Sequence, residues 1–555
     1  MKCLLSNQIS IVARNDSFWQ GYSGMCKAKS GRLVLAFKQA YGHGASRWAR
    51  VVTMASDNRG KTWSAPRLIH EGGFDTSGYD VACPGLYLVT LRSGRILLSC
   101  TDSPWPDRYP EVSYMRTSDD EGETWSEPMR IGTQERTSIH GNILELSNGD
   151  LLVAAATPGE TSMRSTDGGL TWSGPVPLFP SATSLNLSVE IALVELSDGR
   201  VMALSRENTY SNLPAFAVYS DDGGRSWSEP KPTPFIAHWP DIAKLADGRH
   251  VLAYRNVGGR ANSVVWCGEL EKLQGFEVSS CRYGDTDNLI NINDEGMVLE
   301  TDGSKGEFAQ FFMMPHDNPA ADVTVEAEIR CLANQGQACS IGIRNSGWLR
   351  IFPDHIDIEH IPVDSVYKLD GTQWHTYRFE RRNKACYVYV DGDLVYTACP
   401  MEQAPATHSP CNAFGCKFDY RNTPMSGGYP MRVRLPEYVN AGNSGRSIWR
   451  SVKMAIRGNT CLGDCTYEWI ASRDGVPDKW QEENLLELDY CRDAGDWGKP
   501  VIAVWPDGEC FVVDYFGNGA LVGSRQLAFL QPGRGHNSYV EGFSFNVNDI
   551  PRKKD

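Results

Sequence analysis

The chain alternates short apolar runs with polar turns that end in glycine. In the run VELSDGRVMALSR, an apolar strand leads into the turn glycine and a second apolar strand follows it. The pattern occurs six times, with turn glycines at Gly31, Gly94, Gly149, Gly199, Gly248 and Gly508. Apolar runs joined by a tight turn, at which glycine permits a positive φ, are typical of β-hairpins. The pattern therefore predicts six copies of a small antiparallel sheet, the sixth separated from the fifth along the chain.

An eight-residue motif, S-x-[DN]-x-G-x-[TS]-W, recurs in the same region. Its four copies are Ser56–Trp63, Ser118–Trp125, Ser165–Trp172 and Ser220–Trp227. The Asp or Asn oxygen can accept backbone N–H bonds across a tight turn, and the Trp can anchor that turn in apolar surroundings. The motif resembles the Asp box of sialidase-type β-propellers. One residue set repeated four times cannot build one asymmetric active site, so we assign the boxes a structural role.

The resemblance and the hairpins together predict an all-β fold, a six-bladed β-propeller. A degenerate Asp box with Ser472, Asp474 and Trp480 precedes the sixth hairpin. Between the fifth and sixth hairpins the pattern changes to strict alternation of apolar and polar residues, as in Val323–Cys331 and Trp374–Arg382.

WHTYRFE followed by YVYVDGDLV resembles a laminin-G or concanavalin-like β-sandwich. We expect blades one to five at 1–279, an inserted jelly-roll, lectin-like β-sandwich at 280–458 between blades, and blade six with ring closure at 459–555. Two roles stay open for the sandwich, a scaffold that buttresses the propeller and a glycan-binding domain.

Composition excludes several classes of partner. The 555 residues include 54 Lys and Arg against 68 Asp and Glu, a net charge of −14, which argues against nucleic acid or an anionic membrane. No apolar run approaches the roughly 20 residues of a membrane span. The first residues lack the features of a secretory signal, so we expect a cytoplasmic protein whose 16 cysteines are mostly reduced; an already processed N-terminus would reverse this. We expect no metal or cofactor, and a homo-oligomer is left open.

Two positions of each hairpin lie at the end opposite its turn, about nine residues before the glycine and about seven after it. In a propeller the innermost strands line the central channel, so these positions should ring one pocket. The residues before the glycine are Tyr22, His140, Glu190, His238 and Lys499. The residues after it are Lys38, Asp102, Arg206, Arg255 and Tyr515. Charge at the ends of buried strands is costly without a purpose, so we interpret this ring as the functional site.

The similarity to sialidases is sharpest at Ser188–Asn208. In that family a Glu nine residues before this glycine polarises the nucleophilic Tyr, and an Arg on the returning strand clamps the substrate carboxylate. The resemblance implies these roles for Glu190 and Arg206, with Arg255 as a second clamp.

Three family features are replaced. Gly21-Tyr22-Ser23 stands in place of Arg-Ile-Pro, and Lys499 stands where the nucleophilic Tyr is expected. The loop that supplies the family's acid Asp contains His43 and no carboxylate.

The first hypothesis is an exo-acting glycosidase that attacks a terminal acidic sugar, sialic or uronic, of a glycan. Glu190 would be the base or nucleophile partner, and His43 or Asp102 would protonate the leaving oxygen. The substrate would be bound by Arg206, Arg255, Lys38, His238, Lys499 and Tyr515. A second hypothesis is a polysaccharide lyase that uses Tyr22 and His140 on a uronic acid by β-elimination. The third is a non-catalytic glycan-binding protein with the sandwich as lectin.

Overall fold

The computed structural model describes most of the chain. The described residues are 2–15, 17–40, 48–73, 79–81, 86–104, 111–132, 137–156, 159–179, 186–207, 214–256, 262–273, 275–283, 289–305, 307–313, 321–344, 346–359, 366–383, 385–398, 412–417, 444–458, 463–490, 498–518 and 537–552. Among them, no helix is long and apolar enough to cross a membrane.

Five antiparallel sheets contain the predicted hairpins. One of them has eight strands and consists of two four-stranded halves joined by a single parallel pair, Gly141 with Ile191. We call the resulting four-stranded groups units one to six, in the chain order of their turn glycines.

Each unit begins with its innermost strand, which leads into the turn glycine, and its other strands follow outwards. Unit one contains Trp19–Lys27, Leu33–Ala40, Trp48–Ser56 and Arg67–Gly73. Unit two contains Tyr87–Thr90 and Tyr79–Val81, which both pair with Ile96–Pro104, then Val112–Ser118 and Met129–Arg130. Unit three contains Ser138–Glu145, Leu151–Ala156, Glu160–Ser165 and Val176–Pro177. Unit four contains Leu187–Glu195, Val201–Glu207, Phe216–Ser220 and Lys231–Pro232. Unit five contains Ala237–Lys244, His250–Asn256, Asn262–Gly268 and Leu486–Tyr490, with Lys2–Cys3 added in parallel. Unit six contains Val501–Val504, Glu509–Asn518, Asn537–Asn546 and Ile9–Arg14.

The units pack in a closed cycle. The first strand of each unit contacts the first strand of the next, and that of unit six contacts that of unit one. A separate apolar core fills each junction; Phe511 of unit six, for example, is buried with Leu35 and Phe37 of unit one. Because both faces of a unit are covered by neighbours, strands such as Leu33–Ala40 and Val201–Glu207 are buried along their whole length. The protein is therefore all-β, with its sheets arranged as in a β-propeller.

Each Asp box closes the turn between the third and fourth strands of its unit. In the copy at Ser220–Trp227, the Asp222 carboxylate accepts from Ser220 Oγ at 2.7 Å and from Ser226 N at 2.9 Å. Gly224 N donates to Ser220 Oγ at 2.7 Å. These bonds satisfy the backbone of the turn, as a structural role requires.

Two further sheets pack face to face around a common core. The first has the strands Ser279–Tyr283, Phe308–Met313, Asn412–Gly415, Ser340–Ile343, Gly347–Ile351, His355–Ile358 and Tyr367–Lys368. The second has Ile290–Asn293, Gly296–Thr301, Gly445–Arg457, Asp322–Asn334, His375–Arg382, Ala385–Val390 and Asp393–Ala398, with Cys465–Ile470 paired to Gly445–Arg457. Alternating residues of both sheets, such as Val325, Phe379 and Phe414, enclose the core.

The point in the chain at which these two sheets are inserted differs from the sequence prediction. They lie between the third and fourth strands of unit five, because Leu486–Tyr490 returns to pair with Asn262–Gly268. The boundary expected at 458 also falls one strand early, since Cys465–Ile470 still belongs to the second sheet. The prediction of a degenerate Asp box at Ser472, Asp474 and Trp480 is wrong. These residues lie in two short helices, Ala471–Asp474 and Lys479–Asn484.

The other regular elements in the described ranges are short 3-10 turns, at Ser6–Gln8, Leu270–Lys272, Gly303–Lys305 and Val547–Asp549. Eight of the described cysteines are buried. Among the described residues, no three His, Cys, Asp or Glu side chains are grouped as a metal site.

Candidate functional site

A bulge interrupts the first strand of several units, at the end opposite the turn glycine. In units one, four and five the residue nine positions before that glycine has left-handed backbone, with φ of 53° at Tyr22, 52° at Glu190 and 48° at Trp239. Such a conformation costs a non-glycine residue about 1–2 kcal/mol. Residues held in such backbone often cluster at functional sites, where the surrounding packing keeps them in place.

Glu190 and Arg206 form a buried ion pair across the two inner strands of unit four. Arg206 Nη1 donates to Glu190 Oε1, and the side chains are 4% (Glu190) and 9% (Arg206) exposed. The second oxygen, Oε2, accepts from Trp239 N of unit five at 3.0 Å. The pKa of the Arg206 guanidinium is lowered, chiefly by burial. Glu190 opposes this lowering, and the neighbouring Arg255 adds to it. The carboxylate therefore joins two units at the level of the bulges.

Arg255 and His238 lie opposite each other in unit five, in register. Arg255 Nη2 lies 3.0 Å from His238 Nδ1, so the imidazole accepts there. Burial, together with Arg206 and Arg255, lowers the pKa of His238 well below its usual value. His238 is thus held neutral and positions Arg255, which is itself half-buried.

Aromatic rings surround this charged group. The Tyr22 ring packs against Trp239 with centroids 5.8 Å apart and against Tyr515 at 6.0 Å. Lys38 is fully buried, and its Nζ lies 5.9 Å from the centre of the Tyr22 ring. Such rings offer flat apolar surfaces beside the cations.

Lys499 and Asp514 belong to unit six. Lys499 Nζ donates to Leu86 O and lies 5.1 Å from the Trp239 ring centre. Asp514 is fully buried and accepts from Lys499 N at 2.7 Å and from Ser263 Oγ. Burial raises the pKa of Asp514 to about 7. The backbone of Lys499, and not its ammonium group, is thus what Asp514 holds.

His140 of unit three pairs with a carboxylate that the sequence analysis did not single out. Its Nδ1 lies 3.0 and 3.1 Å from the two oxygens of Glu160. Glu160 Oε1 also accepts from Val189 N at 3.1 Å, immediately before Glu190. His140 is therefore linked to the bulge of unit four.

Two sequence-predicted residues are not part of this group. Asp102 of unit two accepts from His70 Nε2, 3.2 Å away, across the junction with unit one. His43 lies outside the described residues.

A cavity of about 30 Å³ lies beside Glu190 and Trp239, with room for about two water molecules. Its polar lining includes Ser23, Tyr87, Asn142, Asp241 and Lys499. Burial raises the pKa of Asp241 to about 6, and burial with nearby carboxylates raises that of Tyr87.

Several members of the site had no signal in the hairpin pattern. Glu160 lies on a third strand, and its contacts across the junction of units three and four cannot be read from spacing. Trp239 could have been found, because it stands nine residues before Gly248, in the same position as Glu190 before Gly199. The preference for a polar residue at that position favours its neighbour His238 instead.

A family model described as BNR repeat-like domain matches residues 75–269, which span units two to four and the first three strands of unit five. A protein of unknown function from Dyadobacter fermentans is similar at 20% identity and a TM-score of 0.41, over 55% of this chain and 94% of its own. The Hadza microbial sialidase Hz136 is similar at 19% identity and a TM-score of 0.38, over 48% of this chain and 61% of its own. The leech intramolecular trans-sialidase is similar at 14% identity and a TM-score of 0.37, over 52% of this chain and 65% of its own. No protein with a curated description matches the chain.

Proposed function

We propose that this protein is a sialidase-like six-bladed β-propeller with an inserted sandwich, and that it removes a terminal acidic sugar from a glycan. The substrate would bind at the bulged ends of the inner strands, where Arg206 and Arg255 hold its carboxylate. Glu190 would serve the reacting centre as base or nucleophile partner.

The observation that carries the proposal is the buried ion pair of Glu190 and Arg206, with the half-buried Arg255 near Arg206. Burying an ion pair costs several kcal/mol per charge unless other bonds compensate, and hydrophobic residues would pack more cheaply in its place. The bulges at Glu190 and Trp239 add backbone strain in the same place. Costs of both kinds concentrated at one point favour a functional role over a structural one.

The charge balance of the group favours an anionic ligand. Arg206, Arg255 and Lys499 are cationic, and Glu190 neutralises one of them directly. The nearby Asp514, whose pKa is raised to about 7, is partly protonated near neutral pH, whereas Asp241, whose pKa is raised to about 6, is mostly ionised there. A carboxylate-bearing sugar would complete the balance, and a guanidinium can hold a carboxylate by two parallel bonds. The ring faces of Tyr22 and Trp239 suit the apolar face of a sugar.

The test is a screen of the purified full chain against glycans that end in sialic acid, in a uronic acid or in a neutral sugar, read by mass spectrometry. Release of the acidic terminal sugar with addition of water supports the proposal. An unsaturated uronide product would instead identify a lyase. Binding without turnover, or cleavage confined to neutral sugars, would contradict the proposal.

A matched pair of variants tests the carboxylate clamp. Arg206→Lys should weaken binding of the acidic product sugar at least about tenfold, because an ammonium cannot reproduce the planar two-donor fork. Arg200→Lys is the control, since Arg200 lies on the same hairpin at the turn end and its guanidinium is paired with Asp198. Equal binding by both variants would show that Arg206 is not a clamp.

A further inference from the structure

Building on the proposed function, we propose that His140 and Glu160 form the acid–base dyad of the site. His140 would exchange the proton with the glycosidic oxygen, and Glu160 would be its positioning residue. The dyad would give the site a proton donor whose imidazole is already oriented by a carboxylate.

The geometry of the pair is that of an oriented imidazole. Both carboxylate oxygens lie within 3.1 Å of Nδ1, and the side chains are 7% (His140) and 9% (Glu160) exposed. A carboxylate on one ring nitrogen fixes the hydrogen there and leaves the other nitrogen to exchange a proton. Within the described part of the chain, His140 Nε2 makes no hydrogen bond to protein.

A second set of contacts places the dyad beside the proposed reacting centre. Glu160 accepts from Val189 N, and Val189 and Glu190 are consecutive left-handed residues with φ of 53° and 52°. Gly141 and Ile191 face each other across the junction of units three and four. His140 and Glu190 each precede one member of that facing pair, so they lie at the same level on adjacent strands.

The other titratable ring members are less suited to proton transfer. His238 accepts from Arg255 at Nδ1, and two arginines and burial keep it neutral. Asp102 is paired with His70 on the junction of units one and two. Among the described inner-strand histidines, His140 is the one with a carboxylate on one ring nitrogen, and it has no arginine bonded to its ring.

The proton balance of the step is complete with water as co-reactant. The bond between the anomeric carbon and the glycosidic oxygen breaks, its electron pair stays on that oxygen, and the oxygen takes the proton from Nε2 of the imidazolium. Water then adds to the anomeric carbon and returns one proton to Nε2. The products are the free sugar and the shortened glycan, and the dyad is unchanged.

The activity test compares leaving groups on the sugar that the wild type releases. His140→Ala should lower turnover of the natural glycan at least about a hundredfold, because its alkoxide leaving group needs a proton. The same variant should lose less than about tenfold on an aryl glycoside of that sugar with an acidic phenol, which leaves without one. His375→Gln is the control, since it removes another histidine–carboxylate pair, with Asp391, on the sandwich. A uniform loss on both substrates would overturn the dyad while leaving the proposed function standing.

A second test does not depend on turnover. Nitrogen-15 spectra of the histidine-labelled full chain, with His140→Gln for assignment, report which ring nitrogen carries the hydrogen. We expect the hydrogen on Nδ1 of neutral His140, and a loss of that preference in Glu160→Gln. If no glycan is cleaved, the proposed function fails, and these spectra alone decide the dyad: hydrogen on Nε2, or no change in Glu160→Gln, would overturn it.

Discussion

Glu190→Gln keeps the shape of a side chain at the centre of the site and removes its charge. Arg206 then lies near Arg255 without the carboxylate that now compensates its charge. Removing one partner of a buried ion pair typically costs about 3–5 kcal/mol, because the other charge stays buried and uncompensated. Since both side chains are less than one-tenth exposed, we expect a loss of stability in that range.

Arg206→Met should cost less, about 2–3 kcal/mol, for a reason visible in the structure. Glu190 keeps its bond from Trp239 N at 3.0 Å, so its carboxylate is not left without a partner. The double variant should lose about 1–3 kcal/mol less than the sum of the single changes, because the two residues interact directly.

The assay is urea unfolding of all three variants at neutral pH, followed by circular dichroism. Glu195→Gln is the matched control, since Glu195 lies on the same strand near the turn and its carboxylate accepts from Ser147 N at 2.8 Å. Its cost should stay below about 1 kcal/mol. If Glu190→Gln is no less stable than Glu195→Gln, or if the single changes simply add, the ion pair does not hold the site together.

The same variant separates stability from chemistry. Folded Glu190→Gln should bind the acidic product sugar more tightly than wild type, because Glu190 no longer competes for Arg206. Turnover should fall at least about a hundredfold, in the range typical of positioned acid–base groups. Reduced stability with intact turnover would refute the catalytic role of Glu190.

Three further predictions concern the fold. Asp222→Ala should lower stability by about 1–3 kcal/mol in a chemical-denaturation series, through lost turn hydrogen bonds, and leave turnover per folded molecule unchanged. Asp221→Ala, at its exposed neighbour, should change neither stability nor turnover. Asp514→Asn should be more stable than wild type at pH 8 and equally stable at pH 4. Burial raises the pKa of this carboxyl from 3.8 to about 7, so the wild type loses stability as pH rises through that interval. Thermal melts that show the same pH dependence for both proteins would contradict this. Val189→Gly should be more stable than Val189→Ala by about 1 kcal/mol, because glycine adopts the left-handed backbone without strain. This is the reverse of the usual order. Equal melting temperatures of the two variants would show that the bulge is not strained.

The hairpins could be predicted because their signal is local. Each turn glycine adopts a positive φ, for instance 95° at Gly31 and 86° at Gly199, which no other residue type tolerates as readily. Apolar strands on either side then follow from the burial of both faces of a unit. The insertion point could not be placed from the same signal, because the fourth strand of unit five, Leu486–Tyr490, pairs with residues more than 200 positions earlier.

The site could be predicted only in part. Glu190 and Arg206 begin and end one hairpin, so their meeting follows from antiparallel geometry. The partners Glu160 and His70 come from outer strands, and their contacts depend on how neighbouring units pack. The bulge moves Trp239 into the position that alternation alone assigns to a polar residue.

The third and fourth strands of unit six are far apart in sequence. Asn537–Asn546, the third strand, pairs with Ile9–Arg14, the outermost strand. About 520 residues separate the two, so at a synthesis rate of about 5–20 residues per second the first strand leaves the ribosome roughly 25–100 s before its partner exists. Until Phe511 is synthesised, the flank of unit one that meets it has no partner from unit six. Within unit six, the pairing of Ile9–Arg14 with Asn537–Asn546 is therefore the last to become available during synthesis, because Asn537–Asn546 is the last of its strands along the chain.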